Sequence, residues 1–294
     1  MTDSPQSRSA AVQAAEPTVS VEDVLGPLLG STMSQTAGAS VTLDAARYHL
    51  ASGGKRVRAG LGHRSASAFG VSDADGVLIG ATAELIHNAS LVYDDLQDRD
   101  RTRRGRDAVW ARFGPDVALC TGALLLSASY GALAKLSMPE RVADMVAHTH
   151  RRTAHLIHGQ TADLACVDGA APSASQYEQI AADKSGVLFA LPLELACIYS
   201  GHQEFTSRAR RAANLFAVGY QIADDIADAD EDLARGRLNY VSLLSSEHGN
   251  AHALRLARGR SLLLLAESVA VAERLPSDAG SFLAELATDL SARV

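Results

Sequence analysis

The sequence predicts an all-α protein, a single large bundle of antiparallel helices. Its 294 residues are 47% hydrophobic, with many alanines and leucines and only eight prolines, a composition that favours helices over strands. Apolar residues recur at spacings of three and four along most of the chain, as they do on helices with buried faces. No internal repeat and no Pro-, Gly- or Ser-rich linker divides it.

The elements are predicted in chain order as follows. Residues 1–20 are polar and alanine-rich without the apolar segment of a signal peptide, which predicts a disordered tail, and 21–294 are predicted to form one helical domain. The apolar periodicity predicts helices over 76–97, 116–137, 140–166, 174–200, 205–230 and 251–274. These helices are separated by segments that stop helices, SGG (52–54), FGPD (113–116), MPE (138–140), DGAAPS (168–173) and RLPSD (274–278).

Charge and cysteine content exclude several classes of function. The net charge of −7 repels nucleic acid and anionic membrane surfaces, so no nucleic-acid partner is expected and any bound anion needs a local basic cluster. Three cysteines without metal-type spacing fit a reducing cytosol better than a disulfide framework. No uninterrupted apolar run is predicted to span a membrane, and a cytoplasmic protein is expected.

The strongest chemical signal is an Asp-Asp-x-x-Asp motif that occurs twice, each time at the end of an apolar helix. The motifs consist of Asp94, Asp95 and Asp98, and of Asp224, Asp225 and Asp228. The first and last aspartates of a motif lie about 6 Å apart on one helix face. One such motif is usually a solvated surface, but two facing helices would form a pocket of about six carboxylates, which requires divalent cations. Oxygen ligands without His or Cys favour Mg²⁺, shared with a phosphorylated substrate.

Basic residues that could bind a second anion lie in two short segments. Lys55, Arg56 and Arg58 occur in SGGKRVRAG, and Arg103 and Arg104 in RTRRG. Arginine and lysine supply donors and charge, and adjacent glycines allow a phosphate to approach the backbone. A Gly-Gly-Lys-Arg segment by itself is more often a surface turn.

Histidines provide an alternative metal site. Four of them lie in the predicted helix 140–166, at His148, His150, His155 and His158. Their spacing lacks the closing acid or cysteine pair of a zinc site. A polar helix face is therefore the favoured interpretation.

Taken together, these segments resemble the trans-type isoprenyl diphosphate synthases, or polyprenyl synthetases. The segments GGKRVRAG, ELIHNASLVYDDLQD, RRG followed by VWARFG, GQTAD, DKSG and GYQIADDIAD occur in that family's order between about residues 45 and 245. The resemblance implies an isoprenoid-synthase bundle around a central cavity. It also implies Mg²⁺-dependent, head-to-tail condensation of isopentenyl diphosphate with an allylic diphosphate, with three ions when substrate is bound.

The resemblance assigns roles to matching residues. It implies that Asp94, Asp98 and Asp224 are the main Mg²⁺ ligands, supported by Asp95, Asp225 and Asp228. The site for isopentenyl diphosphate would comprise Lys55, Arg58, His87 and Arg104, and the groups around the allylic diphosphate and the developing cation would be Arg103, Lys184 and Gln221. Gln160 and Asp163 match a recurrent family segment, for which structural hydrogen bonding is equally compatible.

Product length is predicted from the helix before Asp94. Residues four, five and eight positions earlier, Ser90, Ala89 and Ile86, should form the cavity wall. A large aromatic residue there closes the cavity at C15 in this family, so small Ala89 and Ser90 predict at least C20, with geranylgeranyl diphosphate expected and Tyr130 or Ile86 as a deeper floor.

The chain departs from the family pattern in three places. Arg237 is the only candidate for a lysine expected after the second aspartate motif, the usual Gly-Asp pair is Gly122 and Ala123, and the region after about 245 is compressed. Two alternatives therefore remain: a class I terpene cyclase on the same fold, against which the retained basic residues count, and a non-catalytic partner subunit, against which both aspartate motifs count. Family members are commonly homodimers.

Overall fold

The computed structural model describes residues 21–30, 37–167, 172–230, 232 and 238–294. The predicted tail over 1–20 and Arg237 lie outside these residues. The helices are α1 (Val21–Gly30), α2 (Ala37–Leu50), α3 (Val57–Ala68), α4 (Asp73–Gln97), α5 (Val109–Phe113), α6 (Pro115–Leu133), α7 (Pro139–Val167), α8 (Ala174–Ala181), α9 (Val187–Tyr199), α10 (Thr206–Ala227), α11 (Tyr240–His248), α12 (Asn250–Ala272) and α13 (Ser281–Ser291). The prediction of an all-α fold is confirmed.

Two short features depart from the predicted elements. A hairpin of two-residue strands, β1 (Thr102–Arg103) and β2 (Arg106–Asp107), pairs in antiparallel register. The helix predicted over 174–200 is divided by a π-helical turn at Ala182–Gly186. The extra residue in such a turn interrupts the α-helical register, and such turns are frequent at functional sites. Both features carry basic residues of the predicted site.

Two helices, α9 and α4, lie at the centre of the hydrophobic core. α9 is buried at every one of its 13 residues, as expected of a helix that is hydrophobic on all sides. α4 packs against α3, α6 and α9 and is buried along most of its length. Its N-terminus is capped by Ser72, whose hydroxyl accepts a hydrogen bond from the Asp75 backbone N–H (3.2 Å). The C-terminal end of this rigid helix carries the first aspartate motif.

A buried carboxylate ties three helices together. Glu194 on α9 is fully buried, and its oxygens lie 3.0 Å from His148 Nε2 and 3.0 Å from Arg152 Nε on α7, and 2.6 Å from Arg210 Nε on α10. Burial acts to raise the pKa of Glu194, but the hydrogen bond from His148 and the adjacent arginines hold it below its usual value. His148 is thus a buried partner of Glu194, whereas His150, His155 and His158 occupy the exposed polar face expected for this helix.

α6 is long and apolar enough to cross a membrane when judged by length and composition alone. Core helices of soluble proteins satisfy the same test, and α6 packs against α2, α4 and α5. Nearly half of its most apolar window (44%) is buried inside the protein. The test is therefore only weak evidence for a membrane span.

Candidate active site

A cavity of about 450 Å³ lies between α4, α6, α7 and the π-helical turn. Its apolar walls come mainly from leucines and isoleucines of these helices, and its polar lining comprises Arg58, His87, Ser90, Asp94, Gln97, Thr153, Gln160, Thr161, Lys184 and Ser185. Asp94 of the first aspartate motif and Arg58 of the first basic segment therefore border one space. The cavity is the central feature of the candidate site.

The first aspartate motif separates its carboxylates between two helix faces. Asp94 borders the cavity, and its Oδ2 lies 3.9 Å from Lys184 Nζ on the π-helical turn. Asp98 ends α4 and donates its backbone N–H to the Asp94 carbonyl (2.8 Å). Asp95 points away, is only 1% exposed, and accepts a hydrogen bond from Arg103 Nε (2.9 Å). The Asp95–Arg103 pair thereby fixes the β-hairpin against the end of α4.

The second motif repeats this arrangement at the end of α10. Asp228 caps the helix through its backbone N–H and the Asp224 carbonyl (3.0 Å), and both side chains are exposed. Asp225 is buried and accepts hydrogen bonds from the Tyr177 hydroxyl (2.6 Å), the Tyr240 backbone N–H (2.6 Å) and Gln221 Nε2 (3.2 Å). Gln221, expected beside the developing cation, is thus engaged with Asp225.

The expected pocket of six carboxylates does not form. Asp95 and Asp225 are engaged in hydrogen bonds within the fold. This leaves Asp94 and Asp98 at the C-terminal end of α4, and Asp224 and Asp228 at the C-terminal end of α10. Within the described ranges, no three acidic, histidine or cysteine side chains converge closely enough to hold a metal by themselves. This arrangement fits Mg²⁺, because that ion usually takes one or two carboxylates and completes its coordination with water and substrate phosphate.

The second motif and the nearby Asp232 bring like charges together. Desolvation, together with the neighbouring carboxylates of Asp228 and Asp232, raises the pKa of Asp224. An acid whose pKa is higher in the folded than in the unfolded state destabilises the fold once it ionises, so this cost is present at neutral pH and disappears in acid. A bound cation would relieve it.

We therefore expect Asp224→Asn to stabilise the metal-free protein. Its melting temperature, measured by circular dichroism in EDTA at pH 7, should exceed that of the wild type, and the gain should shrink as the pH falls towards 3.8, the ordinary aspartate value. Asp289→Asn on α13 makes the same change at an exposed helix position and should leave the melting temperature unchanged. A lower melting temperature for Asp224→Asn would contradict this account.

The basic half of the site is built on a buried carboxylate. Glu84 on α4 lies 3.3 Å from Arg56 Nη1 and accepts a hydrogen bond from Asn88 Nδ2 (3.2 Å). Arg58 stacks on the Phe189 ring, with its guanidinium carbon 4.2 Å from the ring centroid. Burial lowers the pKa of Arg58 to about 10 despite the opposing influence of Glu84. Arg58 nevertheless stays charged at neutral pH.

Two imidazoles lie among these arginines. Burial, together with Arg58 and Arg104, holds the pKa of His87 well below its usual value, and burial with Arg104 lowers the pKa of His49 to about 4. Both rings are therefore neutral at pH 7. Among the described residues, His49 Nε2, His87 Nδ1 and Arg58 Nε are buried without a hydrogen-bond partner. Unsatisfied buried polar atoms are costly, and an anion placed among these groups would satisfy them.

The β-hairpin places Arg104 near Arg58 and His87. Arg104 has a positive φ of 52° and donates a hydrogen bond to the Gly53 carbonyl. A Cβ at Gly54 would lie 2.8 Å from Arg104 Nη1, and Gly54 itself has a φ of +137°, so this contact requires glycine. The exposed Lys55 follows directly. The SGGKR segment is thus a turn shaped to accept Arg104.

The residues predicted to control product length lie where expected along α4. Ile86, Ala89 and Ser90 border the cavity, and Leu126 and Leu156 lie across it. Tyr130 packs in the hydrophobic core and does not contribute to the lining. Of the two residues expected as a deeper floor, Ile86 therefore borders this cavity, whereas a role for Tyr130 below it stays a prediction. Gln160 also borders the cavity and donates a hydrogen bond to Gln97 Oε1 (2.9 Å), and the side chain of Asp163 lies outside what the structure describes.

Sequence reasoning missed three residues of the site. Glu84 is a single polar residue on an apolar stretch, and His49 follows Arg47 and Tyr48 near the end of α2. Such residues are more often ordinary hydrogen-bonding groups of the fold. Tyr220 directly precedes Gln221 and is 41% exposed. Its pKa is raised by desolvation and by Asp224, which places the phenol beside the second motif. Tyr220 lies four residues, or one helical turn, before Asp224, and this spacing is the feature of the sequence that indicates its place beside the second motif.

Comparison with known proteins identifies the family. A sequence model of the polyprenyl synthetase family matches residues 40–236, well over half of the chain and including both aspartate motifs. The chain belongs to the polyprenyl synthetase family. It is 31% identical over 219 residues to a geranylgeranyl diphosphate synthase of Methanosarcina mazei, covering 70% of this chain and 67% of the relative. This family assignment confirms the resemblance seen in the sequence.

Other polyprenyl synthetases show how far this likeness extends. The chloroplastic geranylgeranyl pyrophosphate synthase of Capsicum annuum is 30% identical over 234 residues, which span 73% of this chain but only 63% of that enzyme. The nonaprenyl diphosphate synthase of Mycobacterium tuberculosis is 32% identical over 194 residues, or 65% of this chain and 56% of the relative. Relatives that are about equally identical to this chain are thus named for products of different lengths.

Solved structures of the family share the fold. A geranylgeranyl pyrophosphate synthetase of Geoglobus acetivorans superimposes with a TM-score of 0.83 at 24% identity, covering 92% of this chain and 96% of that one. A decaprenyl diphosphate synthase of Rhodobacter capsulatus gives 0.79 at 19% identity, covering 93% and 96%. The same helical bundle therefore occurs in polyprenyl synthetases that are named for short products and in others that are named for long products.

Proposed function

We propose that this protein is a Mg²⁺-dependent prenyltransferase that condenses isopentenyl diphosphate with an allylic diphosphate, and that its main product is geranylgeranyl diphosphate. One observation carries the proposal: Asp94 of the first aspartate motif with Lys184, and Arg58 with His87, all border a single cavity. Two diphosphates could therefore bind at neighbouring positions with their hydrocarbon parts in one apolar space.

Each group has a distinct role in this proposal. Asp94, Asp98 and Asp224 would hold Mg²⁺, three ions in the substrate complex, and the bound metal would stabilise the negative charge of the departing allylic diphosphate. Lys184 lies beside Asp94 and would contact the same diphosphate. Asp228 would support the second motif, while Asp95 and Asp225 position the helix ends through their hydrogen bonds. Arg103, which is held by Asp95, would contact the allylic diphosphate from the β-hairpin.

The second diphosphate would bind in the basic half of the site. Arg58 and His87 border the cavity, and Arg104 and the exposed Lys55 would bind from the turn next to it. An imidazole that is neutral in the free protein can donate one N–H to a phosphate oxygen without adding charge repulsion to the arginines. Isopentenyl diphosphate would therefore be held mainly by charge-assisted bonds from arginine.

The cavity favours the chemistry by excluding water. As the C–O bond of the allylic diphosphate breaks, the resulting cation is attacked by the double bond of isopentenyl diphosphate, and a carbon–carbon bond forms. A proton is then lost to the departed diphosphate, so no protein base is required. The leucine and isoleucine walls exclude the water that would otherwise capture the cation.

An assay of substrate use tests this proposal. The purified protein is incubated with Mg²⁺, isopentenyl diphosphate and each allylic primer in turn, and products are resolved by chain length. We expect isopentenyl diphosphate to be consumed and a C20 diphosphate to accumulate. If a C15 or C20 diphosphate alone yields a hydrocarbon while isopentenyl diphosphate is not consumed, the protein is a terpene cyclase. Absence of turnover without a second subunit would favour the partner-subunit alternative.

We further propose that the protein is a homodimer that pairs through α6. Cys120 and Ala123 on this helix are exposed, and next to them Leu119, which is 50% exposed, also borders the cavity. An exposed apolar stripe on an otherwise well-packed helix is typical of a protein interface. The cytoplasmic location remains a prediction of the sequence.

Ala123→Arg should convert the dimer to monomer. A charged side chain buried at the centre of an apolar contact would be desolvated without a partner. Light scattering coupled to size-exclusion chromatography measures the mass directly. Ala270→Arg on the exposed face of α12 is the matched control and should remain dimeric. A wild-type mass equal to the 30.8 kDa of one chain would refute pairing through α6.

A further inference from the structure

The ring of Tyr93 packs directly on the backbone of α6. A Cβ built at Gly122 would lie 2.5 Å from Tyr93 Cζ, 2.6 Å from Cε1 and 2.9 Å from Cε2. Real Cβ atoms do not approach other atoms so closely, and three ring atoms are involved, so no small adjustment of one atom would relieve the clash. The observed position of the ring therefore requires glycine at 122.

The same tyrosine borders the cavity. Tyr93 lies on α4 immediately before Asp94, and both residues contribute to the cavity lining. It is also four residues after Ala89, so the two side chains lie on the same helix face, one turn apart. A prenyl chain that grows away from a diphosphate at Asp94 would pass the Tyr93 level before it reaches the Ala89 level.

The ring of Tyr93 lies between the backbone of α6 and the cavity. α6 lies behind it at Gly122, and the ring itself is partly buried against the main core. Burial raises the pKa of its hydroxyl, as does the nearby Cys120 of α6. The open space next to the ring is the cavity. A side chain at position 122 would therefore push the ring towards the space that the hydrocarbon is proposed to occupy.

We propose that Gly122 is a specificity-determining residue: by letting the Tyr93 ring lie against α6, it keeps the upper part of the cavity wide enough for the growing prenyl chain. This inference rests on the proposed prenyltransferase function. It identifies a constriction distinct from the wall at Ala89 and Ser90. The residue acts without contacting the substrate, through the ring that it allows to retract.

The test compares product lengths of four proteins. Gly122→Ala should shorten the main product by at least one isoprene unit, whereas Tyr93→Ala should give a product no shorter than that of the wild type. In the double variant Tyr93→Ala/Gly122→Ala, the added methyl group has no ring to displace, and the product should return to the length made by Tyr93→Ala. Such a rescue would not occur if Gly122→Ala only weakened the fold.

Gly131→Ala on the same helix is the matched control. Its added Cβ would meet only Leu28 Cδ2, at 3.4 Å, and the product should not change. If Gly122→Ala does not fold, as judged by circular dichroism, Tyr93→Trp replaces it, because a larger ring that cannot retreat past Gly122 must extend into the cavity and shorten the product.

Several results would overturn the inference. A folded Gly122→Ala protein with the wild-type product would do so, as would equal shortening with and without the Tyr93 ring, or a Tyr93→Trp product of unchanged length. These outcomes leave the proposed function intact, because the wild type still condenses its substrates. If the wild type consumes no isopentenyl diphosphate, the proposed function fails and the inference fails with it.

Discussion

Replacing Asp94 with alanine should lower kcat/KM by roughly a thousandfold or more, while the protein stays folded. A metal that stabilises a leaving group supplies several kcal/mol, and each ~1.4 kcal/mol corresponds to a factor of ten in rate. Asp94 is the aspartate of the first motif that borders the cavity, so its loss removes a proposed metal ligand at the position of bond breaking. Asp98, one turn later, cannot occupy the same position.

A second consequence concerns Lys184, whose Nζ lies 3.9 Å from Asp94 Oδ2. Without the carboxylate, this ammonium group would face the bound diphosphate directly and would retain part of the substrate affinity. We therefore expect the loss to appear mainly in kcat, with a smaller change in the KM of the allylic substrate. Added Mg²⁺ should not restore the rate.

The measurement is a steady-state assay of isopentenyl diphosphate consumption across a range of Mg²⁺ concentrations. Asp289→Ala, which removes an exposed aspartate from α13, is the matched control and should have wild-type kinetics. A near-normal rate for Asp94→Ala would exclude Asp94 as a metal ligand. An equal loss in both variants would point to a general electrostatic effect instead.

The sequence predicted those parts of the site that depend on helical geometry alone. The spacing of Asp94 and Asp98, and of Asp224 and Asp228, is local, and so is the position of Ala89 below Asp94. Helical geometry therefore places both motifs at helix ends from the sequence alone. The long helices were predicted for the same reason, since their apolar periodicity extends over many turns.

Features that depend on distant partners were not predicted. Asp225 lies 48 residues from Tyr177, and nothing in either segment indicates that they meet. The two-residue strands of the hairpin are too short to show alternation, although this hairpin brings Arg103 to Asp95. The π-helical turn at Lys184 lies within an unbroken helical pattern, and the helices it packs against, α7 and α10, are not adjacent to it in the sequence pattern that predicts the helix.

Ala89→Phe should change the identity of the product and leave the chemistry of condensation largely intact. Ala89 is only 3% exposed and borders the cavity one helical turn before Tyr93. A phenyl ring at this position would project into the cavity, because side chains on this face of α4 point towards it. Since the metal ligands lie beyond Tyr93, their geometry should be preserved.

The expected main product is therefore C15, with kcat for the first condensation within a few-fold of the wild-type value. Substituting Phe at the neighbouring Asn88, which is fully buried and hydrogen-bonded to Glu84, would disturb the fold, and Leu91 lines the cavity itself. Ala270→Phe, the same change at an exposed position of α12, is therefore the matched control and should leave the product unchanged. Shortening by Ala89→Phe alone would establish that this wall of α4 limits the chain, and an unchanged product would show that the hydrocarbon follows a different path, past α7.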